Sequence, residues 1–256
     1  MEITHIFIFS LTTFMVFGLL FGSFATMASY RIPRGEDLVI KSSHCPSCKH
    51  KLKWFDLFPL LSWLFNLGKC RYCKAKIGIR YPLTELTMGL LFGIAYISAY
   101  SPLETVALVI TITALVIAMV ITLEKNSIPN CFFIALIIIG LFYRFSIETH
   151  IYEYLPGAVV AIVIASAIRH VLAINKKPEY LTLTEVKFIG IAGLFVGFKG
   201  LIPLILISGI IAFIMYLLKK IPRKTHKIQP VASIIPAIFI CTVFHKYTID
   251  FFSFLN

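Results

Sequence analysis

The run Cys45-Pro46-Ser47-Cys48, answered by Cys70-Arg71-Tyr72-Cys73, decides how the rest of the chain is read. Two C-x-x-C turns stand 21 residues apart. Each turn sets two sulfurs on one side of a tight loop, and two such turns together offer four thiolates in a tetrahedron, the arrangement Zn²⁺ prefers. The interval falls just outside the usual zinc-ribbon spacing. Basic neighbours (Lys41, Lys49, Lys51, Lys53, Lys69, Arg71, Lys74 and Lys76) favour ionised cysteines. The same residues also fit two structural disulfides or four unused thiols. The compartment in which the loop lies decides between them, a reducing one favouring metal. His44 and His50 flank the first turn, but four cysteines already complete the coordination.

Outward from this run the chain is apolar. Of 256 residues, 59% are hydrophobic and only 14% charged, and the mean hydropathy is +0.89. No soluble domain of this size needs so much apolar surface. Apolar segments fall near 6–29, 83–100, 103–123, 131–145, 155–174, 186–200, 201–218 and 232–248. The pattern predicts an all-α polytopic membrane protein with about eight transmembrane helices and a cytosolic zinc-ribbon-like insertion between the first two. Residues 1–30 then form the first transmembrane helix, 31–82 the four-cysteine loop and 83–256 a seven-helix membrane domain. Residues 6–29 are long enough to span and follow no basic n-region, so they read as a retained helix and not as a signal peptide. Segment 186–200 carries Gly190, Gly193, Gly197 and Gly200, which permit close helix contact, and it is too short to span unless protein surrounds it. Cys131 and Cys241 lie in apolar runs and read as buried small hydrophobes.

The charges orient the chain. With the N-terminus outside, loops 31–82, 124–130, 175–187 and 219–228, together with Arg169, place 21 of the 24 Lys and Arg inside. Only Arg144, Lys199 and Lys246 fall outside. The positive-inside rule therefore predicts both termini outside and the cysteine loop in the cytosol, where thiols stay reduced. In such a protein a net charge of +12 reports orientation and calls for no nucleic acid. The run Lys219 to Lys227 reads as a basic stretch lying against anionic headgroups. Trp54 and Trp63 suit an interfacial aromatic belt.

Further motifs surround the cysteines: Gly22-Ser23-Phe24, Tyr30-Arg31-Ile32-Pro33-Arg34-Gly35, Trp54-Phe55-Asp56, Pro59-Leu60-Leu61-Ser62-Trp63-Leu64, Gly78-Ile79-Arg80-Tyr81-Pro82 and Glu85-Leu86. In this order they resemble the type IV prepilin peptidases, the leader peptidase/N-methyltransferases of bacterial pilus and type II secretion systems. The resemblance runs the length of the chain and is most specific in its N-terminal third. It implies an inner-membrane enzyme that removes the basic leader of prepilins or pseudopilins at the cytosolic face and methylates the new N-terminus from S-adenosylmethionine. It also implies pilus or type II secretion assembly proteins as partners. Gly89 lies where the family carries a glycine linked to methyl transfer, although helix packing explains a glycine there equally well.

Two departures from the family bear on chemistry. The family cleaves with two aspartates of the G-x-G-D intramembrane type, one activating water while the other protonates or polarises the scissile carbonyl. Against its I-D-x-D-x-x-x-x-P element this chain has Ile121-Thr122-Leu123-Glu124-Lys125-Asn126-Ser127-Ile128-Pro129, with Thr122 at the catalytic position and Glu124 at the second acid. Against G-x-G-D it has Thr182-Leu183-Thr184-Glu185. Thr122 cannot carry a carboxylate's charge, and Glu185 is one methylene longer than Asp. The resemblance thus leaves Glu185, Glu124 and Thr122 as the candidate catalytic positions, with hydrolysis impaired or altered. The alternatives are a proteolytically inactive relative that binds prepilins or assembly partners, and a small transporter. The last is disfavoured because the spans hold almost no paired charge.

Overall fold

The computed structural model describes residues 2–39, 42–124, 127–147, 154–175, 181–219 and 231–244. Lys41, Lys125, Asn126, most of the basic run to Lys227 and the end of the last apolar segment lie outside the described residues. Among the described residues the chain is helical with no strand: α1 (Glu2–Arg31), α2 (Leu61–Phe65), α3 (Arg80–Ser98), α4 (Pro102–Leu123), α5 (Asn130–Ser146), α6 (Leu155–Ile174), α7 (Leu183–Val196), α8 (Leu201–Lys219) and α9 (Val231–Val243). Each apolar segment of the sequence has become a helix. Among the described residues three stretches are fit by length and composition to cross a membrane, Thr4–Arg34, Pro102–Leu123 and Leu155–Ile174, and α5, α8 and α9 contain shorter apolar helices. Large apolar side chains face outward along α1 and α6, among them Phe9, Phe17, Val163 and Ile164. A soluble fold would bury such faces; a lipid-facing one has no need to.

Two compact units divide the chain. One comprises residues 1–99 with 112–121, the other 100–111 with 122–256. The first is built on α1 and α3, packed side by side. Their contacts run in opposite senses: Gly93 lies against Leu11 and Met15, Gly89 against Met15 and Leu19, and Gly22 against Glu85. A methyl group on Gly22 would sit 2.6 Å from the Glu85 Cα, so the two backbones can approach only where the side chain is hydrogen. Between these antiparallel helices the chain folds back as the cysteine module.

In the second unit α7 packs against α5, α6, α8 and α9. From Val186 to Val196 nearly every residue of α7 is buried, which explains how a 14-residue helix too short to span is held: protein surrounds it. Its N-terminus is set by a capping box, with the Thr182 side chain accepting the Glu185 N–H and the Glu185 carboxylate accepting the Thr182 N–H. Arg144, at the end of α5, is fully buried. Its guanidinium lies 3.7 Å over the Tyr154 ring and its Nε donates to the Leu194 carbonyl at 3.3 Å, fastening α5 to the last turns of α7. Cys241 is buried as expected. Cys131, in the first turn of α5, is exposed, because its position falls on the outward face of that helix with Ile134 and Ile138.

Candidate functional site

The four cysteines of the two turns converge. Their Sγ atoms all lie within 4.8 Å of one another, and Cys45 and Cys73 are 3.9 Å apart. A disulfide requires about 2.05 Å, and all four are free thiols. A tetrahedral ion with bonds of about 2.3 Å to sulfur spaces its ligands about 3.8 Å apart. The cluster therefore fits a metal ion held by four sulfurs.

Each half of the site repeats the other 25 positions on. The Cys45 N–H donates to the His50 carbonyl at 3.0 Å and the Lys49 N–H to the Cys45 carbonyl at 2.9 Å; Cys70 with Ala75, and Lys74 with Cys70, do the same at 2.8 and 3.0 Å. Lys49 and Lys74 both take φ 60°, the left-handed residue that closes the turn. The halves are joined by His50 and Tyr72, whose ring centroids lie 3.7 Å apart. Asp56 adds a second tie, accepting the Tyr72 hydroxyl at 2.9 Å and pairing with Arg71 at 3.3 Å. Burial pushes the Cys45 thiol up, but the backbone N–H groups of Cys48 and Ser47 outweigh it and bring it down to about 7. Cys73 accepts the Ala75 N–H, which favours its thiolate. Burial and the sulfurs of Cys48, Cys70 and Cys45 nonetheless push it up to about 11. One thiolate forms readily; four can coexist at this spacing only around a shared cation.

Beside the cluster a cavity of about 300 Å³ opens, lined among others by Tyr30, Asp56, Trp63, Tyr72, Tyr81 and Glu85. Glu85 is buried near the start of α3. Its carboxylate accepts the Leu60 N–H at 2.8 Å and a hydrogen bond from the Ser23 side chain. Leu60 has φ 59° and ψ −50°, a backbone state rarely adopted by a residue with a side chain. In the sequence Glu85 stands only as part of the Glu85-Leu86 motif, although an acid inside an otherwise apolar helix is itself a signal. Glu85→Leu should leave the Leu60 N–H buried without an acceptor, at about 1–3 kcal/mol. The expected result is faster protease cleavage within residues 57–67, read by mass spectrometry, with α1 and α3 still intact; unchanged cleavage would show that the contact holds nothing in place.

The structure places the acid positions as follows. Thr122 is buried in the last turn of α4, and Glu124 is half-buried just beyond the last helical residue, Leu123. Glu185 is buried at the third position of α7 and engaged in the capping box. Lys187 turns to the first residue of α5, donating to Asn130 Oδ1 at 2.7 Å. This bond draws together the starts of the two helices that carry Pro129-Asn130 and Thr182-Glu185. The Thr-x-x-Glu cap was legible in the sequence as Thr182-Leu183-Thr184-Glu185. Gly89 packs on α1; a methyl group there would sit 2.9 Å from Leu19 Cδ2.

The fold and cluster define a helical chain of membrane-crossing character with a four-cysteine module between its first long helices. Comparison with known proteins sharpens this. Residues 16–99 match the family described as Bacterial Peptidase A24 N-terminal domain, ending where the first compact unit reaches Ala99. The chain is 47% identical over 77 residues to a prepilin leader peptidase/N-methyltransferase of Myxococcus xanthus, covering 30% of this chain and 23% of that protein. It is 38% identical over 120 residues to the Bacillus subtilis protein of the same name, covering 47% and 48%. It is 28% identical over 237 residues to a type 4 prepilin-like proteins leader peptide-processing enzyme of Escherichia coli, covering 85% and 88%. The matched region thus spans less than half the length of the first two relatives and most of the third. No solved structure matches the chain. These findings bear out the resemblance to the type IV prepilin peptidases.

Proposed function

We propose that the protein acts on prepilins or pseudopilins at the cytosolic face of a bacterial inner membrane. The observation that carries this reading is the match of residues 16–99 to the peptidase N-terminal domain, together with the convergence of that segment's four cysteines into one cluster whose spacing suits a metal ion. The metal is zinc and its role structural: four thiolates leave no open position for a substrate or water. The distribution of Lys and Arg supports an N-terminus outside and a cysteine module in the cytosol. Methyl transfer from S-adenosylmethionine is the second proposed activity. The cavity beside the cluster supports it, since carboxylates and aromatic rings suit a cationic sulfonium or ammonium group. Gly89 acts there through packing, by letting α3 lie against α1.

Peptide hydrolysis in this reading depends on Glu185, Glu124 and the Thr122 position. α4 ends at Leu123, so Glu124 is released from the helical direction that would turn it away from the place of the missing aspartate. A second reading has its own support. In it Glu185, which caps its own helix, serves structure alone, and the chain binds prepilins or assembly proteins without cutting them. Incubating membranes that contain the protein with a prepilin from the same cell separates the two. A mobility shift marking leader loss establishes cleavage; crosslinking without a shift establishes the binding relative; the absence of both overturns the assignment to prepilins.

A further inference from the structure

We propose that residues 57–67, part of the loop that the sequence places in the cytosol, dip into the interfacial layer of the bilayer and seat the metal module on the membrane. The first observation is depth. Leu60 is bonded to Glu85, and Glu85 lies against Gly22 and Ser23 of α1. Ser23 is eight residues before the end of α1, about 12 Å along its axis, and Glu85 is five residues into α3, about 7.5 Å. The loop therefore returns to a level well inside the membrane-crossing stretch Thr4–Arg34. A loop that stayed in water would have no reason to be anchored there.

The second observation is the surface this segment presents. Phe58 and Leu61 are each 47% exposed, Leu64 57%, Phe65 81% and Leu67 83%. Five large apolar side chains within ten residues form a patch that a water-facing module does not keep. Lys51, Lys53 and Lys69 stand at either side of it in sequence, as basic residues flank segments that lie in a headgroup layer. Ile79, just before α3, and Leu83 and Leu86 in its first turns are exposed as well.

The third observation concerns backbone. Non-helical chain at membrane depth must have its polar groups satisfied from within. Glu85 takes the Leu60 N–H at the strained residue, the Pro59 and Phe58 carbonyls accept the N–H groups of Leu61 and Ser62, and the Trp63 indole closes the segment onto the Ile77 carbonyl at 3.2 Å. The occupant of the patch is lipid at the boundary of headgroup and acyl chain, some 5–10 Å deep as for interfacial helices generally. This inference rests on the membrane-crossing character of α1 and is independent of any activity on prepilins.

The full chain in phospholipid nanodiscs tests it. Phe65→Trp adds a fluorophore at the patch, and Lys74→Trp adds one at the second cysteine turn. The extra emission of Phe65→Trp should be largely lost when the acyl chains carry bromine and should be shielded from acrylamide, with Lys74→Trp showing the reverse. Extra emission from Phe65→Trp that is insensitive to brominated lipid and open to acrylamide would overturn the proposal, and so would a surface that becomes shielded only when a protein partner is added. Leu64→Trp supplies an independent reading, and equal metal content confirms that each variant keeps the module.

Discussion

Cys45→Ser should empty the metal site and unfold residues 43–77 while α1 and α3 stay paired. The module is too small to hold a hydrophobic core of its own. Besides the cluster, the contacts that join its two halves among the described residues include the His50–Tyr72 ring contact, Arg71 over the Phe55 ring, the Asp56 bonds to Tyr72 and Arg71, and the Trp63 bond to Ile77. Contacts of this kind contribute on the order of 1 kcal/mol each. Binding of a structural zinc ion contributes about 10–16 kcal/mol in small metal-folded domains. Loss of one ligand leaves three sulfurs for an ion whose structural sites take four. The α1–α3 pairing draws on separate contacts, among them Phe14 with Tyr96 at 4.9 Å and Phe21 with Phe92 at 5.4 Å. The measurement is metal per chain by mass spectrometry alongside limited proteolysis. One ion in the parent, none in the variant, and cleavage confined to 43–77 are expected. A parent purified without chelator that holds no metal would remove the cluster from the account altogether.

The long helices were legible because each lies on a single apolar run, and runs need no knowledge of partners; α2, within the cysteine loop, lies on none. Segment 155–174 emerges as Leu155–Ile174 and segment 103–123 as Pro102–Leu123. The cluster was legible because C-x-x-C fixes two ligands locally and leaves one question, whether the two turns meet. What sequence could not give is contact across the chain. Glu85 and Leu60 are 25 residues apart, and nothing in either neighbourhood announces the bond between them. Arg144 enters the sequence only as one of three basic residues counted outside; the fold shows its guanidinium over Tyr154 and its Nε on the Leu194 carbonyl. The acid positions stand between these cases. Their identities are plain in the sequence, and the cap at Thr182 and Glu185 is a local pattern, yet whether these residues catalyse is a matter of what substrate meets there.

Thr122→Asp should raise leader cleavage by about a hundredfold, within the range that a positioned acid or base contributes. The reasoning begins from what Thr lacks. A hydroxyl at this position can donate and accept a hydrogen bond but cannot hold the proton that a carboxyl pair must share. Thr122 sits in the final turn of α4, so a new carboxylate there opposes the helix dipole by about 0.3–1 kcal/mol and stability should fall slightly while rate rises. In the proposed reading the partner acid is Glu185, and Glu185→Gln in the Thr122→Asp chain should return cleavage to its starting level or below it. That second substitution separates chemistry from structure, because Gln serves in a capping box as Glu does and α7 keeps its start at Thr182. Cleavage lost with an unchanged melting temperature therefore identifies Glu185 as the reacting acid. If cleavage in the Thr122→Asp chain is indifferent to Glu185→Gln, the second acid lies elsewhere and Glu124 becomes the group to neutralise. If Thr122→Asp confers no cleavage while prepilin still crosslinks, Glu185 serves the helix alone and the protein is a binder of pilin precursors.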